Sequence, residues 1–116
     1  MAGIMTRNGI LIRRGDSYDI AMHFKNKNGG DFDISGAQIV LCVKNGDDLL
    51  FELSAELAEP QHGKAIIKIL PQYTDIDAGK YEANIKIMLA NGAVHTIFPQ
   101  DLTKNAIFEI SEGVSS

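Results

Sequence analysis

Residues 37–57 read AQIVLCVKNGDDLLFELSAEL. On either side of Asn45-Gly46 the apolar residues fall at every second position. They are Ala37, Ile39, Leu41 and Val43 before it, then Leu49, Phe51, Leu53, Ala55 and Leu57 after it. A period of two marks a strand with one face buried. Asn-Gly between two such runs favours a type I′ turn, in which both central residues take positive φ. The stretch therefore predicts an antiparallel hairpin joining 37–44 to 49–57.

The same alternation recurs on both sides of this hairpin. In 17–24 the inward set is Tyr18, Ile20, Met22 and Phe24, opposite Ser17, Asp19, Ala21 and His23. In 64–70 it is Ala65, Ile67 and Ile69, and in 80–89 it is Tyr81, Ala83, Ile85, Ile87 and Leu89. Shorter runs at 10–13, 94–98 and 106–110 pair with these. Turn dipeptides separate the runs, and Asn91-Gly92 predicts a second type I′ hairpin. Pro60, Pro71 and Pro99 fall between runs, where a missing N–H does no harm. Only 72–78, just after Pro71, has room for a turn of helix. Many short strands at even spacing predict an all-β sandwich or barrel.

The totals agree. With 116 residues, 45% hydrophobic and 22% charged, the chain makes one ordinary globular domain. We place it at 9–111, with 1–8 and 112–116 as flexible termini. A net charge of −4 with no basic block argues against nucleic acid as a partner, because phosphate binding needs clustered Lys and Arg. The single cysteine, Cys42, cannot form an intramolecular disulfide. No secretory signal opens the chain and no apolar run approaches the roughly 20 residues a bilayer requires. The expectation is a protein made in a cytoplasm-like compartment, with no membrane partner.

Arg14-Gly15-Asp16 spells a cell-adhesion tripeptide. It lies directly between two strand-patterned runs, where Gly supplies backbone freedom and Asp bonds nearby backbone. We read it as the bend that starts a strand. His23, His62 and His95 lack the short mutual spacing of zinc sites, and each is expected as an isolated surface histidine. Cys42 has no base near it in sequence and shares the second face of its strand with Val40. The acidic groups Asp31-Phe32-Asp33, Asp47-Asp48 and Asp75-Ile76-Asp77 match no twelve-residue calcium loop. Turn formation is their expected role. No residue is assigned a catalytic, cofactor-binding or metal-binding role, and no cofactor is expected.

Two sets of residues carry a resemblance. Asp77-Ala78-Gly79-Lys80-Tyr81-Glu82-Ala83 resembles the D-x-G-x-Y-x-C stretch of immunoglobulin-type sandwiches, with Ala83 at the cysteine position. In that fold the Tyr hydroxyl bonds back to upstream backbone, the tyrosine corner. With no partner cysteine and no tryptophan, the implied fold is a disulfide-free, Ig-like antiparallel β-sandwich of seven or eight strands.

The second set spans about 10–110. The Arg14-Gly15-Asp16-Ser17 phrase and its strand are followed by Gly30–Ala37, GDFDISGA. Then come Val43–Asp47, Gly63-Lys64-Ala65, the Ala78–Tyr81 phrase, Ala90-Asn91-Gly92 and a final AIFEI strand at 106–110. This order resembles the N-terminal Ig-like domain of phage baseplate upper proteins and related prophage tail proteins. There a D-L-(S/T)-G-A phrase follows the first hairpin, as Asp33-Ile34-Ser35-Gly36-Ala37 does here, and an R-G-D-like phrase commonly opens the second strand.

The resemblance implies a non-enzymatic structural or adaptor module of a phage or prophage tail or baseplate, acting by protein–protein docking. Its implied partners are other tail or baseplate proteins or further copies of the chain, and its implied location is the virion tail. Larger family members continue into stalk and receptor-binding parts, and this chain stops after one domain, so structural attachment is expected over receptor binding. The alternative is a carbohydrate- or host-surface-binding module, for which Tyr73 and Phe98 are the candidate exposed aromatics. A factor that modulates another protein is not separable from an adaptor by sequence.

Overall fold

The computed structural model describes residues 3–6, 9–99 and 106–112. Ten strands stack as two sheets of a β-sandwich. The larger sheet holds β1 (Gly3–Met5), β2 (Gly9–Arg13), β4 (Gln38–Asn45), β5 (Asp48–Ser54), β8 (Gly79–Met88), β9 (Val94–Phe98) and β10 (Ala106–Ser111). Its order is β1-β2-β10-β8-β4-β5. One edge of β8 is taken by β4. The other is shared end to end by β10, over Gly79–Ala83, and β9, over Ile85–Met88. The smaller sheet is β3 (Tyr18–His23), β7 (Lys64–Ile69) and β6 (Glu56–Glu59), in that order.

The alternating residues fill the space between the sheets. Ile20, Ile39, Leu41, Val43, Ile67, Ile69, Ile85 and Ile87 are buried, as their parity predicts, and Phe108 and Ile110 of β10 join them. Phe108 meets Phe51 edge to face, with ring centroids 5.9 Å apart, a favoured aromatic geometry.

The structure corrects the expected architecture in four places. The described residues form ten strands, where seven or eight were expected. One addition is β1, which pairs antiparallel with β2 (Ile4 opposite Leu11), so Gly3–Met5 is no loose leader. Residues 1, 2, 7, 8 and 113–116 lie outside the described residues. The other comes from the run 49–57, which divides: β5 pairs with β4, Ala55 still donates its N–H to the Ile39 carbonyl at 2.8 Å, and β6 then pairs with β7 in the other sheet. Second, the sheets are not wholly antiparallel, because β10 runs parallel to β2, with Phe108 opposite Ile10.

Third, neither Asn-Gly hairpin has type I′ geometry. Both hairpins form, yet no described residue other than glycine has positive φ. Gly46 and Asp47 lie between the paired Asn45 and Asp48, and only Gly46 has positive φ, +63°. At Asn91-Gly92 the Gly92 N–H donates to Leu89, the Leu89 N–H donates to Ala93, and Gly92 alone has positive φ. That is a three-residue loop closed by glycine. Fourth, Leu49 is 51% exposed although its parity pointed inward. Val43 faces Phe51 while Lys44 faces Leu49. Leu50 is thus the extra residue of a β-bulge, which switches the face of what precedes it.

The expected helical turn is α1, Pro71–Thr74, with Pro71 as its first residue, where proline's missing N–H is harmless. A 3-10 turn, Pro60–His62, links β6 to β7.

Candidate functional site

Arg14-Gly15-Asp16 is fully used by the fold. The Asp16 N–H donates to the Arg13 carbonyl at 3.0 Å, closing a four-residue turn with Gly15 at φ +84°. Positive φ at the third position is the mark of a type II turn and favours glycine. Arg14 donates its backbone N–H to Ser111, while its guanidinium pairs with Asp75 (3.2 Å) and lies 3.7 Å from Glu112. Thr74, fully buried, donates its hydroxyl to the Asp16 carbonyl at 2.7 Å. The tripeptide therefore ties the β2–β3 turn to α1 and to the end of β10.

The histidines depart from expectation. Two of the three meet on one carboxylate. His23 Nε2 lies 2.9 Å from Asp31 Oδ1, and His62 Nδ1 lies 3.1 Å from Asp31 Oδ2. Local structure explains the meeting. His23 ends β3. The chain then folds back through Asn28-Gly29-Gly30, with the Asn26 N–H donating to Gly30, so Asp31 returns opposite Lys25. His62 ends the 3-10 turn, and Gly63 caps it at φ +71°. Gly63 is buried between backbones: a Cβ there would overlap the Phe24 carbonyl oxygen and lie 2.6 Å from that of Phe32. Only glycine lets the 3-10 turn sit this close, and that closeness brings His62 to Asp31.

The Asp31 carboxyl is held below the usual carboxylate range, first by the hydrogen bond with His23 and then by that with His62. His62 faces Asp31 through Nδ1, the orientation of a His–Asp dyad whose other nitrogen is available. Yet His62 is 59% exposed at its side chain, and neither it nor Asp31 lines the hollows beside Cys42, along β3 or beside Leu11. Among the described residues no group of three or more His, Cys, Asp or Glu side chains is arranged to hold a metal ion. The cluster acts as a tie joining β3, the 24–32 loop and the 3-10 turn. His95 stands apart on β9.

The other candidates resolve locally. Asp33 Oδ1 accepts the Ser35 N–H at 2.8 Å, forming the expected side-chain turn, and the Asp33 pKa is lowered first by the Ser35 side chain and then by that N–H. Asp75 holds Arg14, and the Asp77 carbonyl accepts the Tyr81 hydroxyl at 2.6 Å. That last bond is the tyrosine corner implied by the Asp77–Ala83 phrase. Cys42 and Val40 are half-buried on the outer face of β4, as expected. A hollow of about 620 Å³ beside Cys42 is lined by Lys44, Glu82, Asn84 and His95, a mixture of charges without a coherent acid–base set. Phe98, named as an exposed aromatic, is 2% exposed. Tyr73 is half-buried against Phe51, with centroids 5.2 Å apart.

Sequence reasoning missed Asp31 as the meeting point. Part of it was readable, since a Gly-Gly hairpin after His23 returns the chain beside it. The arrival of His62, 31 residues further on, left no local signal.

The outer face of the larger sheet carries exposed apolar side chains. Ile4 and Leu11 are cross-strand partners, and Ile107 follows on β10; together they border a hollow of about 200 Å³. Among the described residues no helix is long and apolar enough to cross a membrane. No protein-family model matches the chain, and no curated protein matches it.

Proposed function

We propose that the chain is a non-enzymatic structural or adaptor module of a phage or prophage tail or baseplate, working by protein–protein docking. The ordered turn-and-strand phrases from Arg14 to Ile110 support the tail assignment, and the β-sandwich with its tyrosine corner is the fold they call for. The observation that carries docking is the patch Ile4, Leu11 and Ile107, with Glu109 opposite Leu11 beside it. Three neighbouring strands present large apolar side chains outward on a rigid sheet, a feature of interaction surfaces. In this reading the chain is made in the bacterial cytoplasm and resides in the virion, contacting other tail proteins. The carbohydrate reading loses support, because all eight aromatics are buried or half-buried.

The test is mass spectrometry of particles purified from a strain that carries the gene. Peptides of this chain should co-purify with tail proteins in fixed ratio. Their absence from intact particles would overturn the assignment. A chain present in particles but released by Leu11→Asp would confirm the docking face.

A further inference from the structure

We propose that β3 is a self-docking edge: two copies of the chain pair their β3 strands antiparallel about a twofold axis at Ala21. This goes beyond the tail reading and does not rest on it. The Phe24 N–H donates to Gly63 beside β7. Backbone groups alternate sides along a strand, so Phe24, Met22, Ile20 and Tyr18 point theirs at β7. Asp19, Ala21 and His23 point theirs away. Among the described residues no strand pairs with that far edge. A cleft of about 590 Å³ runs along it instead, from Ile20 to Phe24, with Met5, Thr6 and Ile97 across it.

The sequence of β3 complements itself in this register. About Ala21, residue 19 faces 23 of the second copy, 20 faces 22 and 18 faces 24. On the solvent face, Asp19 then meets His23, and the small Ala21 meets its own copy at the axis. On the core face, Ile20 meets Met22 and Tyr18 meets Phe24, pairs of the kind that stabilise sheets. Asp19, Ala21 and His23 form the hydrogen-bonded pairs, each exchanging two N–H···O bonds. His23 engages Asp31 through Nε2, so its Nδ1 can donate to the second copy's Asp19 only when both ring nitrogens carry protons.

Charge complementarity sets β3 apart from other edges: β9 pairs only with β8 among the described residues and carries no acid to face its His95. β6 carries Glu56 and Glu59, and β5 carries Asp48 and Glu52. Charged residues repeated along an edge guard it against pairing; on β6, Glu56 and Glu59 lie 3.3 Å and 3.7 Å from Lys68 and Lys64 of β7. β1 offers only three residues. On β3 the solvent face carries one acid and one histidine, placed to face each other across the axis. Edge pairing that joins two three-stranded sheets into one is an isologous, closed contact, so it predicts dimers and no larger polymer.

Light scattering after size exclusion tests this on the full chain. The wild type should show a mass twice the 12.6 kDa of one chain, with dissociation at low concentration or high salt. Ala21→Lys places two like charges on the axis at an exposed position and should give a folded monomer that still melts cooperatively. Asp19→Lys should weaken the dimer in the same way, and it carries the test if Ala21→Lys fails to fold. In the dimer, amide exchange at Ala21 and His23 should slow as concentration rises. A wild type that stays monomeric up to about 1 mM, the weak end for so small an interface, overturns the proposal. A dimer that persists in the folded Ala21→Lys and Asp19→Lys chains does so too.

Discussion

Two side chains set local stability, Tyr81 and Asp31. The Tyr81 hydroxyl donates to Asp77 at 2.6 Å while the ring packs on the core. Tyr81→Phe keeps the ring and removes the bond, so it should cost about 1 kcal/mol. Thermal unfolding should show this as a fall of about 4 °C, with the fold intact. A variant as stable as the parent would mean that the tyrosine corner contributes nothing here. Asp31 gives a pH signature. Its folded pKa lies below its unfolded value, so its stabilisation is fully present above the unfolded carboxylate pKa of about 3.9 and is lost as pH falls through the folded value. Wild type should therefore melt above Asp31→Asn at about pH 5, and the margin should shrink below about pH 4. A margin unchanged down to about pH 2 would show that the ionised carboxylate is not its source.

Among elements, Gly15 and Gly63, two of the positive-φ glycines of the site, predict unequal sensitivities. Gly15 sits in open space, so Gly15→Ala meets only the backbone penalty of that region, about 1 kcal/mol. Gly63 meets the same penalty plus two backbone carbonyls that cannot yield, so Gly63→Ala should cost about 3 kcal/mol. It should also separate His62 from Asp31, readable as a shift of the His62 ring signals by NMR. Equal melting temperatures for the two variants would refute the close approach. This contrast also marks what sequence could reveal. Period-two alternation identified the buried faces of β3, β4, β7 and β8, because each parity is set by neighbours one or two residues away. The β5 to β6 crossing stayed hidden because Leu53, Ala55 and Leu57 pack on the core on both sides of it, so the period never breaks. The Leu50 bulge and the Gly46 turn depend on which residues end up opposite, and alternation does not encode that. His62 reaches Asp31 only through packing of Gly63 against two distant backbones, which is tertiary information.

At the scale of the whole molecule, closure depends on β10 and its two neighbours. β2 and β10 pair in parallel, and β10 also pairs with β8, so the last strand is a central strand of the larger sheet. Ala106, Phe108 and Ile110 are all at or below 2% exposure. Losing Phe108 alone should cost about 3–5 kcal/mol, against a total stability of about 5–15 kcal/mol for a domain. A chain ending at residue 105 also leaves β2 and β8 without their shared partner, so it should not fold. The opposite end is different. β1 lies at the outer edge, Ile4 is exposed, and only Met5 packs on the core. A chain lacking residues 1–6 should keep the sandwich, with a small loss of stability. Dispersed amide NMR spectra and a cooperative melt should survive the first truncation and vanish with the second. If the chain ending at 105 still melted cooperatively, β10 would be dispensable and the sandwich would be held mainly by the β4–β8 pairing. If loss of residues 1–6 unfolded the chain, β1 would have to be counted with the core strands.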